Sequence, residues 1–466
     1  PVTEGEGTVV AVVDGGLDFT HPDIQGNFWT NPGETGNGKE TNGIDDDQNG
    51  KVDDWRGWDF TSPDYGDNDP TDGDGHGTHV AGTIAAVGNN SEGIIGVAPK
   101  AKIMAVKGFP DDAGAETATL ADALHYAADN GADVINNSWG CAFCGSVPAM
   151  EEAVRYAHGL GAVLVFSAGN EGGDDVASHS PQNQPETIVV SAFDHADQKA
   201  DFSSYGIKVD VAAPGGESGL SCGDFAAPSI LSLRAAGTDM YAGCGGGWVG
   251  EMVVGTDYYR ARGTSMAAPH VSGLAALIVA ERPYFSNEGV RQALRVSADD
   301  VGAPGFDIYS GRGRINAAQA LAVSSVLQVD FTAPLPGADL SGIDSVEVTG
   351  TATGPRFVNY ELSYGVGSSP SEWLPISSST TPVVNGVLGT WEVESLATGF
   401  HTVRLEATDS QGFVYDTYVG ASKDDATPLA TSECYSEEDP DISGERVVYT
   451  QWGVSSCATE TPSVYL

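Results

Sequence analysis

Hydrophobic and polar positions along this chain fall into three rhythms. Two runs, Thr8–Val13 and Ala162–Phe166, are almost unbroken apolar stretches of strand length, as expected of strands buried on both faces of a parallel sheet. Each ends in a polar turn, Asp14-Gly15-Gly16 after the first and Ser167-Ala168-Gly169-Asn170 after the second. In the second rhythm, a glycine-flanked polar residue opens a stretch of small apolar residues, in Gly75-His76-Gly77-Thr78-His79-Val80-Ala81-Gly82 and in Gly263-Thr264-Ser265-Met266-Ala267-Ala268. These predict helices that sink into a core. The third begins after the helical stretch Asn316–Leu321, where 345–352, 358–364 and 400–408 alternate and are separated by Gly, Pro and Ser. The expectation is an α/β unit with a mostly parallel sheet over 1–326, an all-β sandwich over 327–422, and an acidic β tail over 423–466.

The polar residues at these junctions carry the candidate chemistry. Ser265 stands at the mouth of a helix whose N-terminal N–H groups lie beside its hydroxyl, the place for a nucleophile. A nucleophilic serine needs a base, and His76 opens the other small-residue helix. The base needs an orienting carboxylate, and Asp14 ends the first buried strand. Read singly, Asp14 is a turn cap, His76 a core histidine, Asn170 a turn residue and Ser265 an N-cap. It is their joint occurrence that counts against those readings. His79 and His270 share helices with His76 and Ser265 and are read as structural.

The order Asp, His, Ser, together with Asp14-Gly15-Gly16-Leu17-Asp18, His21-Pro22-Asp23, Val134–Gly140, Ala213-Pro214-Gly215 and the blocks around His76, Asn170 and Ser265, resembles the subtilisin-like serine proteases. The resemblance covers roughly residues 5–325. It implies a three-layer fold, peptide-bond hydrolysis by Asp14, His76 and Ser265, and an oxyanion hole formed by Asn170 with the Ser265 N–H. It also implies that Ser138-Trp139-Gly140 pairs with an extended substrate peptide, that Gly169 borders the first specificity pocket, and that the segment near Lys107-Gly108-Phe109 forms a second wall. No acidic lining is evident, so an apolar or broad preference is expected. Gly15 departs from the family, where a hydroxyl residue usually touches the catalytic carboxylate. The resemblance further implies secretion and a removed propeptide, which fits a chain whose first residue is Pro1; a monomer is expected. The competing reading is a catalytically silent secreted scaffold that binds through its β-sandwich.

Charge narrows the partners. With 65 acidic against 21 basic residues and a formal net charge of −44, the chain has no basic face for nucleic acid or anionic membranes. The carboxylates suit either a salty medium or calcium. Asp45, Asp47, Asn49 and Asp53, with the Lys51 carbonyl, place oxygens at alternating positions around Gly50, as in a calcium loop; Arg56 stands where an EF-hand carries its last glutamate. By resemblance, Asp23 and Asn90, with the carbonyls of Glu92 and Ile94, form a second calcium site, with Gly88 adding one residue to the loop. Asp64, Asp67, Asp69 and Asp72 are a weaker third group that a solvated loop explains equally well.

Six cysteines point to an oxidising compartment. Cys222 pairs with Cys244 across a Gly-rich insertion and Cys434 with Cys457 in the tail. Cys141 and Cys144 form either a tight disulfide loop or a metal or redox pair. Residues 345–412 resemble immunoglobulin or fibronectin type III modules. Residues 439–449 and 463–466 resemble one blade of a β-propeller, or else form a plain hairpin.

Overall fold

A computed structural model describes residues 2–63, 66–111, 113–142, 144–216, 229–241, 252–423, 441–443 and 446–448. Seven strands, β1 (Val9–Asp14), β2 (Gly57–Asp59), β3 (Lys102–Lys107), β4 (Val134–Asn137), β5 (Val163–Ser167), β6 (Thr187–Phe193) and β7 (Val209–Pro214), form one sheet in the order β2-β3-β1-β4-β5-β6-β7. Every pairing is parallel. Strand alternation distributes β1 between two cores. Val10 and Val12 pack toward the helices His76–Ala85 and Thr264–Glu281, whereas Ala11 and Val13 pack toward Thr117–Asp129 and Pro148–Gly159. Helices, sheet and helices give the three layers. β1 pairs with β3 on one side and β4 on the other, so the order reverses beside Asp14, where an open α/β sheet leaves a crevice at its carboxyl ends.

A small antiparallel sheet of β8 (Ile230–Leu233), β9 (Val253–Val254) and β10 (Tyr258–Ala261) stands against the His76 helix. Beyond the Ala317–Ala322 helix the pattern becomes all-β, as the alternation predicts. β11 (Gln328–Ala333), β13 (Ser345–Thr353) and β16 (Val383–Glu392) form one sheet, in the order β11-β13-β16. β12 (Ala338–Asp339), β14 (Phe357–Val366), β15 (Leu374–Ser379), β17 (Gly399–Asp409) and β18 (Val414–Lys423) form another, in the order β12-β18-β17-β14-β15. Their shared core centres on Trp391, Leu405 and Tyr415, which makes this a β-sandwich.

The sandwich meets the parallel sheet through buried charge. Asp210 on β7 accepts from Arg291 Nε at 2.8 Å and Arg295 Nη1 at 2.6 Å. Arg295 and Arg312 also pair with Asp416 on β18, which is fully buried and accepts from Tyr418 Oη at 2.7 Å. A buried carboxylate holding two guanidiniums cannot be separated from them without leaving charge in a dry interior.

Cys141 and Cys144 are joined as a disulfide, the first of the two sequence readings. Cys222, Cys244, Cys434 and Cys457 lie outside the described residues, as does Asp64. Within the tail, Asp441–Ser443 and Arg446–Val448 pair antiparallel; its other residues from 424 onward are outside the described set. Among the described residues no helix is long and apolar enough to cross a membrane.

Candidate active site

Three strand ends and two helix starts converge on one cleft of about 510 Å³, lined by His76, Asn170 and Ser265. Asp14, at the end of β1, is fully buried, and its Oδ1 lies 2.8 Å from His76 Nδ1. Oδ1 also accepts from the Gly15 N–H at 2.7 Å, while Oδ2 has no hydrogen-bond partner. Burial pulls the His76 imidazole toward a lower pKa. The carboxylates of Asp14, Asp74 and Asp72 outweigh it and hold the pKa above the ordinary histidine value.

Ser265 is positioned by a defect in its own helix. Pro269, four residues on, has no N–H to offer the Ser265 carbonyl, so that carbonyl lacks its helical partner. The Ser138 hydroxyl, just past β4, donates to it at 2.8 Å, and the Ser265 hydroxyl donates in return to the Ser138 carbonyl at 3.0 Å. The Ser265 backbone is thereby tied to the end of β4.

Asn170 follows β5. Its Oδ1 accepts from the Thr264 N–H at 2.9 Å and from Thr264 Oγ1 at 3.0 Å, which fixes the amide plane and leaves the NH₂ end for the cleft. Gly169 has φ +105°, and a Cβ there would stand 2.4 Å from Glu171 Oε2 and 2.9 Å from His179 Cε1, so only glycine fits. His79 hydrogen-bonds with the Ile230 and Tyr259 carbonyls through Nε2 and is driven by burial to a pKa of about 3, in keeping with a structural role. His270 Nδ1 likewise sits 2.9 Å from the Met266 carbonyl of its own helix.

In the segment near Lys107-Gly108-Phe109, the cleft is walled by Pro110, Asp111, Ala113 and Gly114, while Phe109 itself is fully buried against Trp139. Trp139 likewise faces inward, its Nε1 donating to the Val13 carbonyl at 2.9 Å, so only the backbone of Ser138-Trp139-Gly140 is available to a peptide. Against the expectation of no acidic lining, Asp74 and Asp111 line the cleft together with Arg262, Asp111 is paired with Lys107, and Glu171 lies beside Gly169. A sequence reader had a signal for Asp74, two residues before His76, and none for Asp111.

The acidic loop is assembled differently from its alternating pattern. Asp45, Asp47 and Asn49 close on one another, the Asn49 N–H reaching Asp45 Oδ1 and Asp47 Oδ1 at 3.1 Å each. Asp53 turns away, at φ +57°, to accept from the Asn42 and Gly43 N–H groups. The Lys51 ammonium lies over the Trp58 and Phe60 rings. In place of Asp53, the fold brings in Glu34 and Asp54, and one oxygen from each of Glu34, Asp47 and Asp54 lies within 4.8 Å of the others. Both newcomers are fully buried, and Glu34 Oε2 has no partner. Burial first, and then the facing carboxylates, raises the pKa of Glu34; burial raises that of Asp54. An orphaned buried oxygen among three carboxylates fits a hard cation.

At the second predicted ion site, Asp23 is fully buried and accepts from Asn90 Nδ2 at 2.6 Å, Ile94 N at 3.0 Å and Tyr258 Oη at 3.2 Å. Glu92 contributes its N–H to Asn90 Oδ1 at 3.1 Å. The third group dissolves: Asp72 caps the His76 helix through the Thr78 N–H and hydroxyl, Asp69 pairs with Arg56, and Asp67 accepts from Ser62.

The Subtilase family profile matches residues 5–313. A thermophilic serine proteinase of Bacillus sp. strain AK1 is 36% identical over 321 residues, which cover 69% of this chain and 63% of that protein. Thermitase of Thermoactinomyces vulgaris is 34% identical over 320 residues, covering 69% of this chain and 90% of the relative. Among solved structures, a protease from Pseudoalteromonas arctica superposes with a TM-score of 0.55 at 29% identity, covering 69% of this chain and 91% of that one. Sphericase gives 0.52 at 30% identity over 67% and 92%.

Proposed function

The chain belongs to the subtilase family, and from that membership we propose that it is a secreted serine endopeptidase working through Asp14, His76, Ser265 and Asn170. The observation that carries the reading is the meeting of these four residues, from four separate segments, around one cleft. His76 takes the Ser265 proton as the hydroxyl attacks a peptide carbonyl, then returns it to the leaving amine. Asp14 keeps the proton on Nδ1 and stabilises the imidazolium. The Asn170 NH₂ and the Ser265 N–H receive the negative oxygen, a contribution of about 3 kcal/mol in such sites. For attack, the Ser265 hydroxyl rotates from the Ser138 carbonyl toward His76, while the carbonyl-to-hydroxyl tie holds its backbone still.

Substrate enters as an extended strand against the backbone of Ser138-Trp139-Gly140. Charges of both signs line the cleft, Asp74 and Asp111 with Arg262, and Asp111 is paired with Lys107, so the walls set no single charge preference and the broad preference expected from the sequence is kept. Calcium stiffens the enzyme at two places, Glu34, Asp47 and Asp54 with Asp45 and Asn49, and Asp23 with Asn90 and the 92–94 backbone. Residues 1–326 are the catalytic unit and 327–422 an accessory sandwich. Hydrolysis of a quenched peptide library by the chain and by Ser265→Ala tests the proposal: turnover that persists in the variant, or is absent from a folded calcium-loaded parent, overturns it.

A further inference from the structure

Lys208, immediately before β7, is a buried cation that the catalytic machinery does not use. Only 7% of it is exposed, and among the described residues its Nζ has no hydrogen-bond partner. A bare ammonium in a protein interior is among the costliest groups to leave unmatched. Lys208 lines a cavity of about 90 Å³ between the two modules, with Ile207 from its own side and Pro336, Phe400, Tyr418 and Val419 from the sandwich. The hydroxyls on that wall are already committed, Ser368 Oγ donating to Asp175 Oδ2 and Thr402 Oγ1 to the Gly367 carbonyl, both at 2.7 Å.

The charged surroundings lean toward an anion. Arg291 and Arg295 face Lys208 from the Asn287–Val296 helix, and the nearest ionised acid, Asp210, is held by both guanidiniums. Glu186 is the other acid nearby, and burial raises its pKa. Tyr418 Oη is committed to Asp416 Oδ2, to which it donates at 2.7 Å. Burial, and then Arg291, drive the Lys208 amine down to about 7. It therefore needs an anionic partner to stay protonated above neutrality.

We propose that this cavity binds a small aliphatic carboxylate, its oxygens on Lys208 Nζ and its tail against Phe400, Val419 and Ile207. Size and lining select the class. The volume holds roughly half a dozen heavy atoms, too few for a peptide, and the apolar walls cannot replace the hydration shell of an inorganic anion. Because both modules line the cavity, the ligand reinforces their union and does not touch the catalytic cleft.

Reductive methylation with labelled formaldehyde, read by mass spectrometry, tests this on the whole protein with butyrate as the probe. At about ten times its half-saturating concentration, butyrate should slow modification of Lys208 roughly tenfold relative to sodium chloride of equal ionic strength. It should also raise Tm by about 2–3 °C, a rise absent from Lys208→Met. Equal rates at Lys208 in butyrate and chloride overturn the proposal, and so does an equal Tm rise in a folded Lys208→Met. Should that variant fail to fold, the labelling of the parent still decides. Peptide hydrolysis is followed in parallel and should stay unchanged, so the failure of this site and the failure of the protease reading give different results.

Discussion

Asp14 and Glu34 are both fully buried carboxylates with one oxygen lacking a partner, yet they stand in opposite electrostatic settings. Asp14 faces an imidazole at 2.8 Å, a partner written into the same chain. Glu34 faces Asp47 and Asp54, and among the described residues its Oε1 has only the Asp46 and Asp47 N–H groups, at 2.5 and 3.0 Å. The first arrangement has its counter-group within the polypeptide. The second is incomplete without protons or a cation, and so makes the stability of the loop depend on the medium.

The sharpest way to separate the two is Ser265→Ala, which should lower kcat by about 10⁶ and leave both the melting temperature and its response to calcium unchanged. A variant that lost the calcium response as well would show the two regions to be coupled. Next in size, chelation should lower stability by about 4 kcal/mol if the ion is normally present at a thousand times its dissociation constant. Glu34→Gln should remove much of that dependence, as calorimetry with and without EDTA would reveal. The sign with pH follows from the raised pKa values of Glu34 and Asp54. In the ion-free protein these groups fold best protonated, and their contribution is lost as pH rises through the folded pKa, so the chelation penalty should be larger at neutral pH than near pH 5.

Asn170→Ala comes third, with a fall in kcat of about 10²–10³ at nearly constant KM and melting temperature. The smallest effect belongs to Asp74→Asn. Activity needs neutral His76, so kcat/KM falls as pH drops through the raised imidazole pKa. Removing one neighbouring negative charge lowers that pKa, and the acid limb should move to lower pH. A limb that stayed in place would mean Asp74 is screened from His76 despite sharing its cleft.

What could be read in advance followed from local rules. The buried runs ending at Asp14 and Ser167 specify parallel strands because period and length suffice, and the small residues after His76 and Ser265 specify helices that pack closely. The alternating strands of the sandwich were legible for the same reason. The ion cluster was legible only in half: Asp45, Asp47 and Asn49 lie within one loop, but Glu34 reaches it from across a turn, and no spacing rule anticipates that contact. That Phe109 and Trp139 turn their rings inward was not legible, because proximity to a site in sequence does not say which way a side chain points. Asp111 was missed because its place on the wall is set by the loop after β3. The Lys208 cavity is a property of two modules meeting, and neither half contains it.

Three ties that build the cleft span distant segments: Asp14 to His76 across 62 positions, Thr264 to Asn170 across 94, and Ser138 to Ser265 across 127. The mutual pair of hydroxyl-to-carbonyl bonds at Ser138 and Ser265 is the longest of these loops to close, and Pro269 ensures that the helix alone cannot replace it. Ser265 is therefore not a portable helix start that could be grafted elsewhere: a ribosome-bound chain that has not yet emitted residue 269 lacks one of the segments from which the cleft is built.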